Sequence, residues 1–453
     1  MNNSLDLRND KISKLFLNYF IPTVAGMLVM ALHVVIDGIF VGRGIGSNGL
    51  AAVNIVVPVF TVFTGIGLLI GLGGATIVSI KLAQGKEDEA SSIFTQSMVL
   101  SVVIMLTITI LGLLNIEKLS YALGANDEIL PLVVDYMRIV LYFSIIFTLG
   151  NAINCFIRND GAPKLAMFCM ILGGVINFIL DYLFIFKFHW GVKGAAIATG
   201  AGNLIGLIIL LMYFLRQKGK LRFVKTRFYK KDIIRIFENG LPTFLAEICI
   251  SVVTIVHNLI LMKMLGETGV SAYSIINYIH PLMLMIFMGT AQAVQPIISY
   301  NYGANEEKRV DETLKLTVKM SVILGIGFCL SGLLFSKQMV MLFLKNNPEV
   351  IQIASSGIRI FFLNYLFMGC NMVIAIYFQA IEHSKLSTII TLCRGLIFII
   401  LGLLILPKFS GINGVWLATP IAEFLTIVVS AFFLKYYKEQ VGLEIYKNVN
   451  AKI

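Results

Sequence analysis

Long apolar stretches separated by short polar ones run the whole length of the chain. Crossing ~30 Å of hydrocarbon takes about 20 helical residues. Stretches of that length occur at 15–41, 51–80, 93–115, 131–157, 165–186, 194–215, 238–264, 271–300, 313–335, 350–380, 387–406 and 414–436. The pattern predicts an all-α polytopic membrane protein of twelve transmembrane helices. Most stretches exceed the minimum length, which predicts tilt or kinking. Pro22, Pro242, Pro296 and Pro420 lie inside spans, where a proline removes one helix bond and bends the axis. The connections are too short to hold a soluble domain.

Composition agrees. Of 453 residues, 58% are hydrophobic and only 13% charged, against roughly 25% charged in soluble domains. Single soluble cores stop growing near ~250–300 residues, so this apolar surplus has to face lipid. The net charge of +11 reads as basic cytoplasmic loops, and no nucleic-acid partner is expected. With the N-terminus inside, the cytoplasmic segments and their flanks hold 24 of the 36 Lys and Arg, the outer segments hold 8, and Arg138, Lys319, Arg359 and Arg394 lie within spans. The largest cluster is 216–235, with nine basic residues and one Asp. The positive-inside rule then predicts both termini in the cytoplasm, and Trp190 and Trp416 at the outer interface. The six cysteines lie in or beside apolar stretches without CxxC spacing, as buried reduced thiols do. No small-residue cleavage pattern follows the first apolar segment, so no cleaved signal peptide is expected.

The second half restates the first at an offset near 220. Pro22 matches Pro242, Gly49 matches Gly269, and Gly191, Gly194, Ala198 and Thr199 match Gly411, Gly414, Ala418 and Thr419. Six spans per unit is an even number, so both units share one orientation, a recurrent plan of secondary transporters with the substrate path between the halves. The expected organisation is a cytoplasmic segment 1–14, a first lobe 15–215, a basic cytoplasmic linker 216–237, a second lobe 238–436 and a cytoplasmic tail 437–453. A duplicated scaffold without transport is the plainer alternative.

Polar residues inside the spans carry the candidate chemistry, because a carboxylate at mid-bilayer costs about 2.5–3.5 kcal/mol on insertion scales. Asp37, Asp181 and Thr199 fall at one depth, roughly 6–8 Å below the outer ends of spans 1, 5 and 6 at 1.5 Å per residue. Asn177 precedes Asp181 by one helical turn on the same face. Two carboxylates, an amide oxygen and a hydroxyl can cage a hard cation; the same group can hold a proton, which a bound cation would displace. It can also be a hydrogen-bonded cluster that pins three helices. At the repeat offset Asp37, Asn177 and Asp181 become His257, Ile397 and Leu401, so the oxygen-bearing side chains concentrate in one half. Glu247, Arg394 and Glu423 lie deeper in the second half; one Glu–Arg pair can be structural and leave the other acid facing a cavity for cationic solutes. His257 has no second ligand at metal spacing and reads as a helix-contact residue. Asn151, Asn154, Gln292 and Gln295 either line a passage or lock helices together. No GxxxxGK[ST], HExxH or GxSxG pattern occurs, so the chain is expected to be no enzyme, to need no cofactor, and to draw on an ion gradient.

In these residues the chain resembles the multidrug and toxic compound extrusion (MATE) transporters, specifically their bacterial MepA-like and DinF-like branch. The resemblance is carried by DGIFVGR at 37–43 with GLAAV at 49–53, RNDGAPK at 158–164, and NFILD at 177–181 leading to GVKGAAIAT at 191–199, and runs from about 12 to 437. It implies a V-shaped molecule of two parallel six-helix lobes in the cell membrane, exporting cationic or zwitterionic drugs in exchange for Na⁺ or H⁺. The family's first-lobe cation site falls on Asp37, Asn177, Asp181 and Thr199, and Glu247 matches a span-7 acid tied to coupling or substrate. Some relatives carry an acid in span 10, where this chain has only Asn364, Asn371 and Gln379 as uncharged polar residues, which places coupling in the first lobe. Arg394, Glu423, Asn151, Asn154 and Gln292 remain cavity or coupling candidates, Pro22 a hinge for a moving span 1, and a monomer the expected unit. The rival readings are a lipid-linked precursor flippase of the wider superfamily and a non-transporting receptor or scaffold.

Overall fold

The computed structural model describes residues 6–344 and 347–450, with side chains through Gln440. The first five residues of the expected cytoplasmic segment, Lys345 and Asn346, and the last three residues of the tail lie outside the described residues. The described chain is helical almost throughout, and ten of its helices are long and apolar enough to cross a bilayer. A bent pair, Leu130–Tyr142 and Ser144–Asn159, makes one more span with a 48° break between its halves. The helix Lys230–Gly303 has 74 residues, about 110 Å at 1.5 Å per residue, far more than one crossing. It breaks at Gly266, where φ is 59° and ψ −145°, and so supplies two spans. The described residues thus contain twelve.

In order the spans are Ile12–Gly44, Ser47–Ala83, Glu87–Leu114, the broken Leu130–Asn159, Pro163–Lys187, Gly191–Leu215, the two arms of Lys230–Gly303, Glu307–Met341, Pro348–Ala380, Ser384–Ser410 and Ile412–Gln440. The last helix continues to Asn450. Helical backbone angles carry through Pro22 in span 1 and Pro58 in span 2. The breaks lie at Phe143, Gly266 and Phe335, with π-helical turns at Tyr182–Lys187 and Cys393–Ile397. Proline removes only one donor, and the neighbouring helices and side chains of a membrane bundle tolerate that.

Left-handed backbone positions make the repeat visible. Gly46 and Gly266, Gly85 and Asn305, Gly161 and Glu382, and Gly191 and Gly411 all have positive φ. Each pair is separated by the repeat offset, so turns between corresponding spans are built alike. Gly266 is the counterpart of the Gly46 turn between spans 1 and 2, which is why a break occurs inside the 74-residue helix.

The chain forms two compact units. The first comprises the chain up to Ile248 with Pro281–Leu316 and Gln379–Ser384; the second comprises Cys249–His280, Thr317–Phe378 and the chain from Lys385. The first unit is centred on span 2, whose segment from Gly65 to Ile80 is continuously buried. There span 7 approaches backbone to backbone: a Cβ on Gly240 would stand 1.8 Å from the Leu69 carbonyl oxygen, and one on Gly73 would stand 2.2 Å from that of Ile236. Many large apolar side chains point outward, among them Val34 at 72% and Leu334 at 68% exposure. In water such a surface would aggregate, whereas hydrocarbon solvates it. In the second unit Trp416 is buried at 1% exposure, under Gly357 and beside Tyr273. The missing Cβ of Gly357 makes room for the ring inside the unit. Trp190 is half-exposed and stacks on Phe184 at 4.6 Å.

Candidate functional site

Span 1 brings His33 and Asp37, one helical turn apart, to the face of span 5 that carries Asn177 and Asp181, also one turn apart. Span 6 closes the group with Thr199. The Asn177 amide donates to the Thr199 hydroxyl at 3.2 Å, and that hydroxyl donates to the Ala195 carbonyl at 3.0 Å. Asn177, Asp181 and Thr199 are buried at 1%, 0% and 8% exposure. The Asp37 and Asp181 carboxyls act on each other electrostatically, His33 acts on Asp37, and Asn177 stands beside both His33 and Asp181. Asp37 Oδ1 and both Asp181 oxygens are buried without a hydrogen-bond donor.

Buried polar atoms are nearly always paired, so three acceptor oxygens without a donor in one cluster are the most unusual chemical feature of the first unit. A proton on one carboxyl would join the two acids; a hard cation would be met by carboxylate, amide and hydroxyl oxygens together. The donor set therefore fits Na⁺ or H⁺. Among the described residues no group of three or more His, Cys, Asp or Glu is placed to hold a metal ion. Two residues join the four read from sequence. His33 was signalled by its place four residues before Asp37, and Tyr136, buried near both carboxyls, had no sequence signal.

The second-half acids differ from one another. Glu423 Oε1 receives Arg394 Nη2 at 2.8 Å and Nε at 3.1 Å, while Oε2 receives the Asn371 amide at 2.7 Å. Ser430 in turn donates to Asn371 at 3.1 Å. Glu423 is thus fully paired inside the second unit. Glu247, in the first unit beside Phe244 and Gly65, makes no hydrogen bond or ion pair among the described residues. His257 holds the Val253 carbonyl through Nδ1 at 2.9 Å and stacks on Tyr273 at 4.8 Å, leaving Nε2 buried without a partner.

The amides of spans 4 and 8 serve different ends. Asn151 donates to the Phe147 carbonyl at 3.0 Å and Asn154 to that of Ala166 at 3.5 Å. Gln292 accepts from the buried Arg158 at 3.0 Å, and Gln295 from Asn159 at 3.0 Å. Gln295 also donates to Thr76 at 3.2 Å and Ser299 at 3.0 Å, and Ser79 donates to Asn159 at 2.5 Å. This network ties spans 2, 4 and 8 at the end bearing the basic loops. Close by, Arg309 donates to the carbonyls of Leu7 and Asp10 at 3.1 and 2.7 Å, joining the segment before span 1 to span 9. Gln292 is therefore part of a helix lock. In the sequence Arg158 and Asn159 stand out only as the start of the RNDGAPK motif at 158–164, at the end of a span, where polar residues are ordinary and signal no helix lock.

A family model described as MatE matches residues 22–183 and 242–404. The multidrug export protein MepA of Staphylococcus saprophyticus is 26% identical over 94% of this chain and 94% of its own length. MepA of Staphylococcus aureus (strain NCTC 8325) is 25% identical over 96% of each. A solved outward-facing conformation of a multidrug resistance MATE family transporter of the MOP superfamily superposes with a TM-score of 0.92 at 23% identity, covering 98% of this chain and 99% of that one. Both halves of the repeat match the same family model, and the fold is that of the solved transporters.

Proposed function

As this chain belongs to the MatE family, we propose that it is a cation-coupled antiporter, exporting cationic or zwitterionic drugs in exchange for Na⁺ or H⁺. The observation that carries this reading is the trio of buried, donor-less carboxylate oxygens on Asp37 and Asp181. The export substrates follow from the name of the MepA relatives, multidrug export proteins, and from the unpaired acid Glu247, which suits a cationic solute.

Coupling follows from charge. Two facing carboxylates in a desolvated site repel when both are ionised, and either a proton or Na⁺ removes that repulsion. Loading therefore draws span 1 toward spans 5 and 6, and unloading releases it. Asn177 and Thr199 fix the position of the Asp181 side of the site, so the movement falls to span 1, with Pro22 as its hinge. The first lobe, 15–215, is the coupling half, and the chain acts as a monomer in the cell membrane with both termini cytoplasmic. Alternating access then requires only that the loaded and unloaded site favour different helix arrangements.

Efflux of ethidium from proteoliposomes under imposed Na⁺ or H⁺ gradients tests the proposal. Wild type is expected to respond to one gradient, with Asp37→Asn and Asp181→Asn folded but uncoupled. Full gradient-driven export in either variant would refute the site, and the effective gradient identifies the ion.

A further inference from the structure

The most strongly charged surface is one that the transport reading leaves without a task. Span 6 ends at Leu215 and the next helix starts at Lys230, so residues 216–229 lie between two membrane helices at the level where hydrocarbon gives way to headgroups. Lys218, Lys220, Arg222, Lys225, Arg227 and Lys230 are all exposed. Of these only Lys220 makes an ion pair among the described residues, a loose 3.7 Å contact to an equally exposed Glu87. The apolar neighbours are exposed as well: Leu215 at 68%, Phe228 at 50% and Tyr229 at 57%.

This segment is fastened along its length. Asp160 Oδ1 accepts the backbone N–H of Lys220 at 2.9 Å and of Leu221 at 3.3 Å. Ser91 accepts that of Arg222 at 3.2 Å, and Thr95 that of Val224 at 3.1 Å. The Thr226 hydroxyl meets Ser92 and accepts from Gln96. Leu221 is wholly buried, and the Phe223 ring packs 4.9 Å from Phe94. All four backbone contacts use main-chain donors, so the basic side chains are left out of the fastening and stand in a fixed row.

We infer that residues 216–231 form a strap that binds anionic phospholipid headgroups. A row of basic side chains at the membrane surface attracts acidic lipids, and the exposed Phe228 and Tyr229 suit the adjoining interface. Holding the row rigid avoids the ordering cost that a loose polybasic segment meets on binding. Asp160, which fastens the strap, directly follows Arg158 and Asn159, which hold Gln292 and Gln295. Asp160 thus joins the strap to the turn that locks spans 4 and 8.

The test uses the full chain in nanodiscs of phosphatidylcholine doped with spin-labelled phosphatidylglycerol or spin-labelled phosphatidylcholine, reading the motionally restricted lipid fraction. Both leaflets carry the label, so neither the orientation of the chain nor its transport activity affects the result. Wild type is expected to prefer phosphatidylglycerol several-fold, with the preference falling in high salt. The variant K220Q/R222Q/K225Q/R227Q is expected to lose it, since the main-chain fastening survives these changes. The variant K11Q/K14Q/K308Q/K315Q, neutralised at other exposed positions of the first unit, is expected to keep it. No preference in wild type, or equal loss in both variants at matched monodispersity, overturns the inference: the first leaves the strap for a soluble partner, and the second reduces it to diffuse charge.

Discussion

Replacing Glu423 by Gln preserves side-chain volume and removes only the charge that faces Arg394. Glu423 is 1% exposed and the Arg394 side chain 13%, so the guanidinium left behind is a buried cation with no other carboxylate in hydrogen-bond contact. Breaking one side of such a pair costs about 3–5 kcal/mol. Arg394→Met leaves the opposite charge uncompensated and should cost a similar amount. The double variant leaves neither. Asn371 then still donates to the Glu423 backbone carbonyl at 2.9 Å and accepts from Ser430 at 3.1 Å, so the double variant should lose only about 1–2 kcal/mol. A coupling of at least about 4 kcal/mol is therefore expected from the cycle. All six cysteines are buried free thiols, so melting followed by a thiol-reactive dye reports the loss of stability. Efflux by the double variant should persist. Additive losses of stability would refute the pairing argument, and so would a Glu423→Gln variant that melts like wild type but no longer transports. That last outcome would move Glu423 from the scaffold into the transport path.

Gly240→Ala should destabilise by more than about 3 kcal/mol, because its Cβ would overlap the Leu69 carbonyl at 1.8 Å in a core that overpacking disrupts; Gly150→Ala, with nothing within 4 Å, is the control, and both are read by yield and melting temperature. Gln295→Leu removes one of the two acceptors of the Asn159 amide and the donor to Thr76, a loss of about 1–3 kcal/mol. It should therefore raise the reactivity of an introduced Ser79→Cys toward a thiol reagent applied from the basic-loop end, and unchanged reactivity would refute the lock. Burial pushes the Asp160 carboxyl up from 3.8 to about 6. A proton is thus bound more tightly in the folded state, so this contribution is complete below pH ~4 and is lost as pH rises through about 6, on the order of 3 kcal/mol in all. Wild type should melt lower at pH 7.5 than at pH 5, and Asp160→Asn should flatten that part of the profile; a wild-type profile identical to that of Asp160→Asn would refute the assignment.

What was legible in the sequence follows from what lipid penalises. An uninterrupted apolar run of 20 residues has few alternatives to a crossing, so all twelve spans could be read. A carboxylate inside one is costly enough that Asp37 and Asp181 stand out, and helical spacing alone puts Asn177 beside Asp181. Backbone breaks were less legible because the chain does not mark them with proline: Phe143 and Phe335 break helices, whereas Pro22 and Pro58 do not. Glycine was the better signal, since Gly266 stands at the repeat counterpart of Gly46.

Uncharged polar residues were the hardest to assign, for a physical reason. Any amide in hydrocarbon has to find a partner, and the sequence states the need without naming the partner. Gln292 and Asn151 looked equivalent on paper. The fold gives Gln292 a guanidinium from another helix and Asn151 a carbonyl of its own helix, so one locks spans and the other is locally satisfied. The acids divide in the same way. Glu423 meets Arg394, Glu247 meets no charged partner, and Asp37 and Asp181 meet each other. A lone acid and a facing pair of acids keep an unmet demand for positive charge, whereas an ion pair does not. That demand, rather than acidity itself, separates the groups suited to binding a mobile cation from those suited to holding helices together.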